Sequence, residues 1–293
     1  MSDTKFTGTG VAIVTPFNED FSVDHSSLER VVEHCIKGKV NYIVALGTTG
    51  ESVTLSKKEK LEVVDTIVKA TSKRVPIVMG IGGNNTMDVL DGLKTVNFSG
   101  IDGILSVVPY YNKPNQTGLY EHYKAIAQTS PLPVIMYNVP GRTGINMASE
   151  TTLRLAHDFK NIVSIKEASG NMMQIMEILR DKPESFTVVS GDDGITYPML
   201  SLGAMGVISV VANAFPLDFS TMVEEMIGGN YPLARKIHYS FLDLYKELFT
   251  EGSPAGVKAI MTEMKLLKNV VRLPLTPVSA KHYAKLQELA KKI

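Results

Sequence analysis

The chain has 293 residues, of which 44% are hydrophobic, and this allows one large α/β domain or two smaller ones. Thirty basic and thirty acidic residues give a net charge of zero without a basic patch, which argues against nucleic acid or a membrane surface as the main partner. The single cysteine, Cys35, excludes an internal disulfide framework and predicts a reducing compartment, the cytoplasm.

Short β-branched segments alternate with amphipathic segments over most of the chain. The predicted strands are Val11–Val14, Tyr42–Leu46, Pro76–Met79, Gly103–Val107, Val134–Tyr137, Ile162–Ile165, Thr187–Val189 and Val207–Val210. The predicted helices that follow strands include Ser26–Lys37, Ser56–Ala70, Thr86–Thr95, Leu119–Thr129, Ser149–His157, Met172–Arg180 and Leu217–Ile227. Ser56 and Glu59 are spaced as a capping box, and Cys35 falls in the first helical pattern, where we expect it to be buried.

Eight alternating strands and helices predict a (β/α)8 barrel, whose active site lies at the carboxyl ends of the strands. The strands are spaced by roughly 25–35 residues, which matches a βα unit of a parallel sheet. A doubly wound sheet is the rival, but residues 80–85 carry asparagine where a dinucleotide fingerprint has its third glycine. No strand pattern remains after residue 230, so we expect a barrel at 1–230 and a helical region at 231–293. The helices predicted there are Leu233–Phe249, Val257–Leu267 and Ser279–Ile293.

Two segments bear on membrane insertion and secretion. Residues 195–217 carry no charge and are long enough to span a bilayer. Two prolines and two glycines interrupt this segment, so we interpret it as a helix, a buried strand and a loop. The first eight residues have no apolar run after their charges, and no signal peptide is expected.

Lys166 directly follows the apolar strand predicted at Ile162–Ile165. An amine at the mouth of a buried strand loses hydration, which disfavours its ammonium form and exposes the nucleophilic lone pair. Such an amine forms Schiff bases with carbonyl substrates. The alternative is a strand-end lysine whose stem reaches water. Nearly every other lysine lies in a polar helical or loop segment, where solvation explains it.

Polar side chains follow several other predicted strands. The second strand leads into Gly47-Thr48-Thr49-Gly50-Glu51, whose hydroxyls and backbone N–H groups suit a small carboxylate, although an ordinary glycine turn is the alternative. Tyr110 and Tyr111 follow the fourth strand, and Tyr137 ends the fifth. Phenols carry protons between buried partners but are equally common as core residues. Arg142 lies in a glycine-flanked loop, where its planar guanidinium group suits a carboxylate. The alternative is an ordinary surface arginine.

The seventh strand is followed by a pair of acidic residues, Asp192 and Asp193. Paired aspartates suggest a metal ligand set. The six histidines are scattered along the chain, however, and no set of ligands converges on the pair. We therefore expect no metal site.

Taken together, these segments resemble a known family. The chain resembles the class I aldolases of the dihydrodipicolinate synthase and N-acetylneuraminate lyase family. Three segments carry the resemblance: the threonine loop at residues 47–51, the segment Tyr137-Asn138-Val139-Pro140, and the strand that leads to Lys166. The resemblance runs from Gly8 to about Pro277. Within the family the chain resembles the synthases more than the lyases. Arg142 stands where synthases bind the semialdehyde carboxylate, two threonines replace the Ser-Thr pair of the lyases, and Ala168 replaces their threonine.

The resemblance implies a reaction. Lys166 would condense with pyruvate, and the enamine formed from the imine would attack L-aspartate-4-semialdehyde to give 4-hydroxy-tetrahydrodipicolinate. The implied proton relay consists of Tyr137, Thr48 and Tyr111. Tyr111 would reach in from a neighbouring subunit of a homotetramer built as a dimer of dimers. No cofactor is expected, because the protonated imine is itself the electron sink.

The resemblance also implies a binding site and leaves alternatives open. The implied lining of the pyruvate pocket is Thr49 with the backbone at Gly191 and Ile208. A sister pyruvate-dependent aldolase would instead act on a sugar acid such as N-acetylneuraminate. A barrel that binds a small acid without turnover is the third hypothesis, but intact Lys166, Tyr137 and Thr48 weigh against it.

Two segments depart from the family pattern. Residues 252–256 read Gly-Ser-Pro-Ala-Gly where many synthases carry an Asn-Pro-Ile-Pro-like stretch. The positions that match the allosteric lysine site of inhibited relatives are Ser52, Val53, Lys57, Lys60, Asn84, Asp88 and Tyr110. Lys57 and Lys60 stand in place of histidines there and put two cations beside a cationic ligand, which predicts weak or absent inhibition by L-lysine. The alternative is that both lysines belong to the solvated face of a helix.

Overall fold

The computed structural model describes residues 4–293. Its eight strands close into a parallel barrel in which each strand lies beside its neighbours in the chain. The strands are β1 (Gly8–Ala12), β2 (Tyr42–Ala45), β3 (Ile77–Gly80), β4 (Gly103–Val107), β5 (Val134–Asn138), β6 (Ile162–Glu167), β7 (Thr187–Ser190) and β8 (Gly206–Ser209). The predicted (β/α)8 barrel is confirmed, and the doubly wound sheet is wrong because such a sheet is open.

Helices alternate with the strands and continue after the last one. Those that come before β8 are α1 (His25–Lys37), α2 (Lys57–Thr71), α3 (Thr86–Thr95), α4 (Gln116–Thr129), α5 (Pro140–Thr143), α6 (Ser149–Asp158), α7 (Met172–Asp181) and α8 (Thr196–Ser201). Those that come after it are α9 (Pro216–Ile227), α10 (Tyr231–Ser240), α11 (Leu242–Thr250), α12 (Ala255–Glu263) and α13 (Ala280–Ala290). The predicted C-terminal helical region is therefore present, and its proposed boundary at residue 231 stays a prediction.

The chain forms two compact units, and the first contains residues 4–7 and 76–208. Within it, Tyr137 of β5 lies opposite Lys166 of β6, and Asn138 lies opposite Glu167. Successive residues of a strand point to opposite faces, and aligned residues of parallel neighbours share a face. The register therefore sets Tyr137 and Lys166 on one face of the sheet and Asn138 and Glu167 on the other.

The second unit contains residues 8–75 and 209–293, where α1 packs against α2 and α9. The predicted capping box is confirmed, since the Ser56 hydroxyl accepts a hydrogen bond from the Glu59 N–H and the Glu59 carboxylate accepts one from the Ser56 N–H. Cys35 of α1 is fully buried as predicted, and burial raises the pKa of its thiol to about 12.

One predicted helix is wrong in its extent. The segment predicted as a single helix at Leu233–Phe249 forms α10 and α11, which are separated at Phe241. Phe241 is fully buried, and its ring lies 6.0 Å from that of Phe219 and 5.8 Å from that of Tyr245. The break between α10 and α11 therefore coincides with the packing of the Phe241 ring, and no glycine or proline in the sequence predicts it.

The uncharged segment at residues 195–217 contains α8 and β8, as predicted, and the predicted loop contains a 3-10 helix at Val211–Asn213 before α9 begins. Within residues 4–293, the structure contains no helix with the length and apolar character needed to cross a bilayer.

Candidate active site

Lys166 and Tyr137 form the centre of the candidate site in the first unit. The Lys166 amine lies 4.3 Å from the centroid of the Tyr137 ring, and each residue is only 6% exposed. The strand register places both side chains on the same face of neighbouring strands. An amine that is able to form an imine therefore lies against the ring of a phenol that is able to carry protons.

Gly191 follows β7 and lies directly against the lysine side chain. A Cβ atom at this position would lie 3.0 Å from Cε of Lys166 and 2.8 Å from the Cβ of Ala168. The Gly191 N–H donates a hydrogen bond to the Glu167 carbonyl at 2.8 Å. A larger residue at 191 would clash with Ala168 and press against the Lys166 stem, so glycine is the residue that fits here without a shift. Ile208, also predicted to line the pocket, is buried in β8.

Tyr111 is exposed and has an unusual backbone conformation. It is 88% exposed, and its φ of 75° lies in the left-handed region, which costs an aromatic residue about 1–3 kcal/mol. Its N–H donates to the Thr143 carbonyl at 3.4 Å. The role of Tyr111 in a proton relay stays a prediction.

Arg142 lies in α5, just after the strand that carries Tyr137. Its backbone N–H donates to the Val139 carbonyl at 2.9 Å, and the residue is exposed. In the part of the chain that the structure describes, its guanidinium takes no part in a side-chain hydrogen bond or ion pair. The planar fork is thus available for a carboxylate.

The second unit carries the threonine loop at residues 47–51. Thr48 is exposed, whereas Thr49 is 5% exposed. The loop closes on itself through the Glu51 N–H, which donates to the Thr48 carbonyl at 3.0 Å. The Thr15 hydroxyl donates to the Gly50 carbonyl at 2.7 Å and ties the loop to the segment after β1. The Thr48 hydroxyl is therefore presented on a fixed backbone.

A buried ion pair anchors this loop. The Lys258 amine lies 2.5 Å from the Glu51 carboxylate, and both side chains are almost completely buried. The backbone N–H of Arg272 donates to the other Glu51 carboxylate oxygen at 3.0 Å. The Lys258 amine also lies 4.4 Å from the centroid of the Phe17 ring. Burial lowers the pKa of Lys258, whereas the neighbouring Glu51 carboxylate acts in the opposite direction.

This pair was not predicted, because nearly every lysine other than Lys166 was expected to be solvated. Lys258 is fully buried in α12 and contradicts that view. The available signal was a single charge in the apolar run Ala255–Met261. Its partner Glu51 is 207 residues away in the chain, and no local pattern connects the two.

The residues that match the allosteric site lie in both units and are described separately. In the second unit, Val53 is 83% exposed in a short 3-10 helix that also contains Ser52, and Lys57 and Lys60 lie in the first turn of α2. In the first unit, Asn84 lies before α3 and Asp88 in its first turn, both exposed, and Tyr110 is 37% exposed. Their role as a lysine site stays a prediction.

Comparisons with known proteins identify the family of the chain. The sequence profile of the Dihydrodipicolinate synthetase family matches residues 5–293. A 4-hydroxy-tetrahydrodipicolinate synthase of Parabacteroides distasonis is 50% identical over 293 residues, covering 100% of this chain and 99% of the relative. A crystal structure of the chloride-inhibited dihydrodipicolinate synthase of Acinetobacter baumannii complexed with pyruvate is 41% identical, with a TM-score of 0.94 over 98% of each chain.

A second solved structure is that of a dihydrodipicolinate synthase from Cyanidioschyzon merolae with lysine bound. It is 38% identical to this chain and has a TM-score of 0.94 over 98% of each chain. Both the family profile and the relatives extend over essentially the whole sequence. The chain therefore belongs to the dihydrodipicolinate synthetase family.

Proposed function

We propose that this chain condenses pyruvate with L-aspartate-4-semialdehyde to give 4-hydroxy-tetrahydrodipicolinate, the committed step of the diaminopimelate route to lysine. The observation that carries the proposal is the buried Lys166 amine against the Tyr137 ring, at the carboxyl end of a barrel strand. The names of full-length relatives support the substrates and the product.

The chemistry follows from a nucleophilic amine in a dry site. The Lys166 amine adds to the keto carbon of pyruvate, and the carbinolamine loses water to give a protonated imine. Loss of a methyl proton then yields an enamine, whose carbon attacks the aldehyde. The amino group of the semialdehyde attacks the imine carbon, which closes the ring and releases Lys166. Each step moves a proton, and we assign Tyr137, whose ring lies 4.3 Å from the amine, as a proton carrier.

Several roles rest on the family resemblance. We assign Thr48 and Tyr111 to the proton relay, and Thr49, Gly191 and Ile208 to pyruvate binding. The strained and exposed Tyr111 supports a role in the site of a neighbouring subunit. This assignment requires a homo-oligomer, for which we propose a tetramer that sedimentation velocity would detect. We also propose a cytoplasmic location, on the basis of the single buried cysteine.

Paired assays distinguish the synthase from a sugar-acid aldolase. Pyruvate with L-aspartate-4-semialdehyde should give rapid turnover, and pyruvate with N-acetylmannosamine should give little or none. The reverse preference would assign the chain to the lyase branch of the family. No turnover in either assay, with a folded protein, would favour a barrel that binds a small acid without catalysis.

Arg142 is expected to act on the second substrate. If its free guanidinium binds the semialdehyde carboxylate, Arg142→Ala removes a charge-assisted hydrogen bond worth about 1.5–3 kcal/mol. The KM for the semialdehyde should then rise about ten- to a hundredfold, while the KM for pyruvate changes little. Arg235→Ala, which removes an exposed arginine of α10, is the control. Equal effects of Arg142→Ala on both substrates would make it a structural residue of its loop.

L-Lysine is expected to inhibit weakly or not at all. Lys57 and Lys60 are three residues apart in α2, so they lie on one helix face. A cationic ligand about 4 Å from one of these amines meets a repulsion of a few kcal/mol at an effective dielectric near 20, which water and salt reduce. A dose–response curve at pH 7–8 measures the effect, and the double variant Lys57→His with Lys60→His should be more sensitive. Half-inhibition of the unmodified chain well below millimolar lysine would contradict the prediction.

A further inference from the structure

A buried carboxylate lies directly behind the candidate catalytic pair. Glu167 is 0% exposed and comes directly after Lys166, on the opposite face of β6. It accepts hydrogen bonds from the Ser169 N–H at 2.7 Å, from the Asn138 side chain at 3.1 and 3.3 Å, and from the Gln174 side chain at 3.1 Å. Within residues 4–293, no lysine, arginine or histidine forms an ion pair with it, and its hydrogen-bond donors are all neutral N–H groups.

The donors are themselves fixed by further hydrogen bonds. The Met147 N–H donates to the Asn138 carbonyl oxygen at 3.0 Å, which orients the Asn138 amide nitrogen toward Glu167. The Asn146 amide donates to the Gln174 side-chain oxygen at 2.7 Å, which orients the Gln174 nitrogen toward the same carboxylate. We call Glu167, Asn138, Gln174 and Asn146 the carboxylate–amide cluster. With one orientation of each amide group, every described donor to Glu167 points its N–H group at the carboxylate.

The cluster joins the two strands that carry the reacting groups. Asn138 directly follows Tyr137, and Glu167 directly follows Lys166, in the same register. The hydrogen bonds between Asn138 and Glu167 therefore hold the carboxyl ends of β5 and β6 at a fixed separation. Gln174 ties the same point to α7. A shift of this cluster would move the Lys166 amine relative to the Tyr137 ring.

We propose that the carboxylate–amide cluster is a positioning device, in which Glu167 sets the geometry of Lys166 and Tyr137 for imine formation. This inference rests on the proposed function, because it assigns the cluster to the imine-forming step. Misplacement of reacting groups by about 1 Å is able to slow a reaction about a hundredfold. The four members act through Lys166 and Tyr137 and are positioning residues.

Glu167→Gln is the direct test, because the replacement has the same shape. Each Glu167 oxygen faces only N–H donors, so the new amide nitrogen must face a donor whichever way it turns. We expect imine formation, measured as the rate of pyruvate-dependent borohydride trapping, to slow about ten- to a hundredfold. The kcat should fall in parallel, while the KM for the semialdehyde stays within about twofold, since Arg142 is untouched.

A charge-relocation variant tests the same idea by rescue. In Glu167→Gln combined with Gln174→Glu, the new carboxylate on α7 accepts a hydrogen bond from the new amide on β6. Part of the lost trapping rate should therefore return, although each single substitution is harmful. If Glu167→Gln does not fold, Gln174→Met removes one donor and leaves the carboxylate in place, and a several-fold slowing is expected of it.

The matched control is Asn161→Ala, directly before the other end of the same strand. The Asn161 amide donates to the Ala127 carbonyl at 2.7 Å, far along β6 from the lysine. This variant should lose stability but trap pyruvate at the wild-type rate. If folded Glu167→Gln traps pyruvate as fast as Asn161→Ala does, or if Gln174→Met does so when Glu167→Gln cannot be folded, the positioning role is wrong. Failure of the unmodified chain to trap pyruvate would overturn the proposed function instead.

Discussion

Lys166→Ala should lower kcat by about 10⁴-fold or more, equivalent to about 5.5 kcal/mol of activation free energy. The Lys166 amine lies 4.3 Å from the centroid of the Tyr137 ring, and its removal abolishes the covalent imine route. The variant should remain folded, because alanine removes a single side chain from the barrel interior. Steady-state turnover of pyruvate with the semialdehyde measures the loss, with circular dichroism as the check of folding.

The control for this substitution is Lys160→Ala. Lys160 is six residues earlier in the chain, in the turn before β6, and it is exposed. Its removal should change kcat by less than about twofold, since surface substitutions away from special features have small effects. A Lys166→Ala enzyme that keeps a tenth of the wild-type kcat would contradict the account, because a tenfold loss is too small for the removal of a covalent route.

Lys258→Met should destabilise the fold by about 3–5 kcal/mol, because it leaves the buried Glu51 carboxylate without its cation. The Arg272 N–H remains as a donor to Glu51, but one neutral donor does not replace an ammonium group. For a chain of this size the loss corresponds to a fall in Tm on the order of 10 °C. Thermal unfolding followed by circular dichroism measures it.

Two further variants separate the effect of an unpaired buried charge on stability from the effect of lost packing. Lys246→Met removes an exposed lysine of α11 and should change the Tm by no more than about 2 °C. The double variant Lys258→Met with Glu51→Gln removes both charges and should recover part of the lost stability. A double variant that is less stable than Lys258→Met alone would show that the uncompensated carboxylate is not the cause.

Much of the fold could be predicted because local patterns and tertiary structure agree. The β-branched runs ending near Tyr137 and Lys166 became β5 and β6, and the Ser56 capping box opens α2 as expected. The alternation of such segments identified the barrel without any long-range information. The break at Phe241 was not predictable in this way, because it accompanies packing against rings from distant segments.

The candidate site, too, could be predicted only in part from the sequence. Lys166 and Tyr137 could be found because each ends an apolar strand, and the barrel brings such ends together. The residues that hold this pair and the threonine loop in place could not be found from the sequence. Gln174 meets Glu167 from α7, and Lys258 meets Glu51 across 207 positions of sequence, so each pairing exists only in the folded chain.

The central claim is that Lys166 forms an imine with pyruvate, and reductive trapping tests it most directly. Borohydride added with pyruvate should attach one reduced pyruvate per chain, seen by mass spectrometry of the intact protein. Peptide mapping should place the modification on Lys166 and leave the buried Lys258 unmodified. Trapping at another lysine, or no pyruvate-dependent increase in mass, would contradict the account.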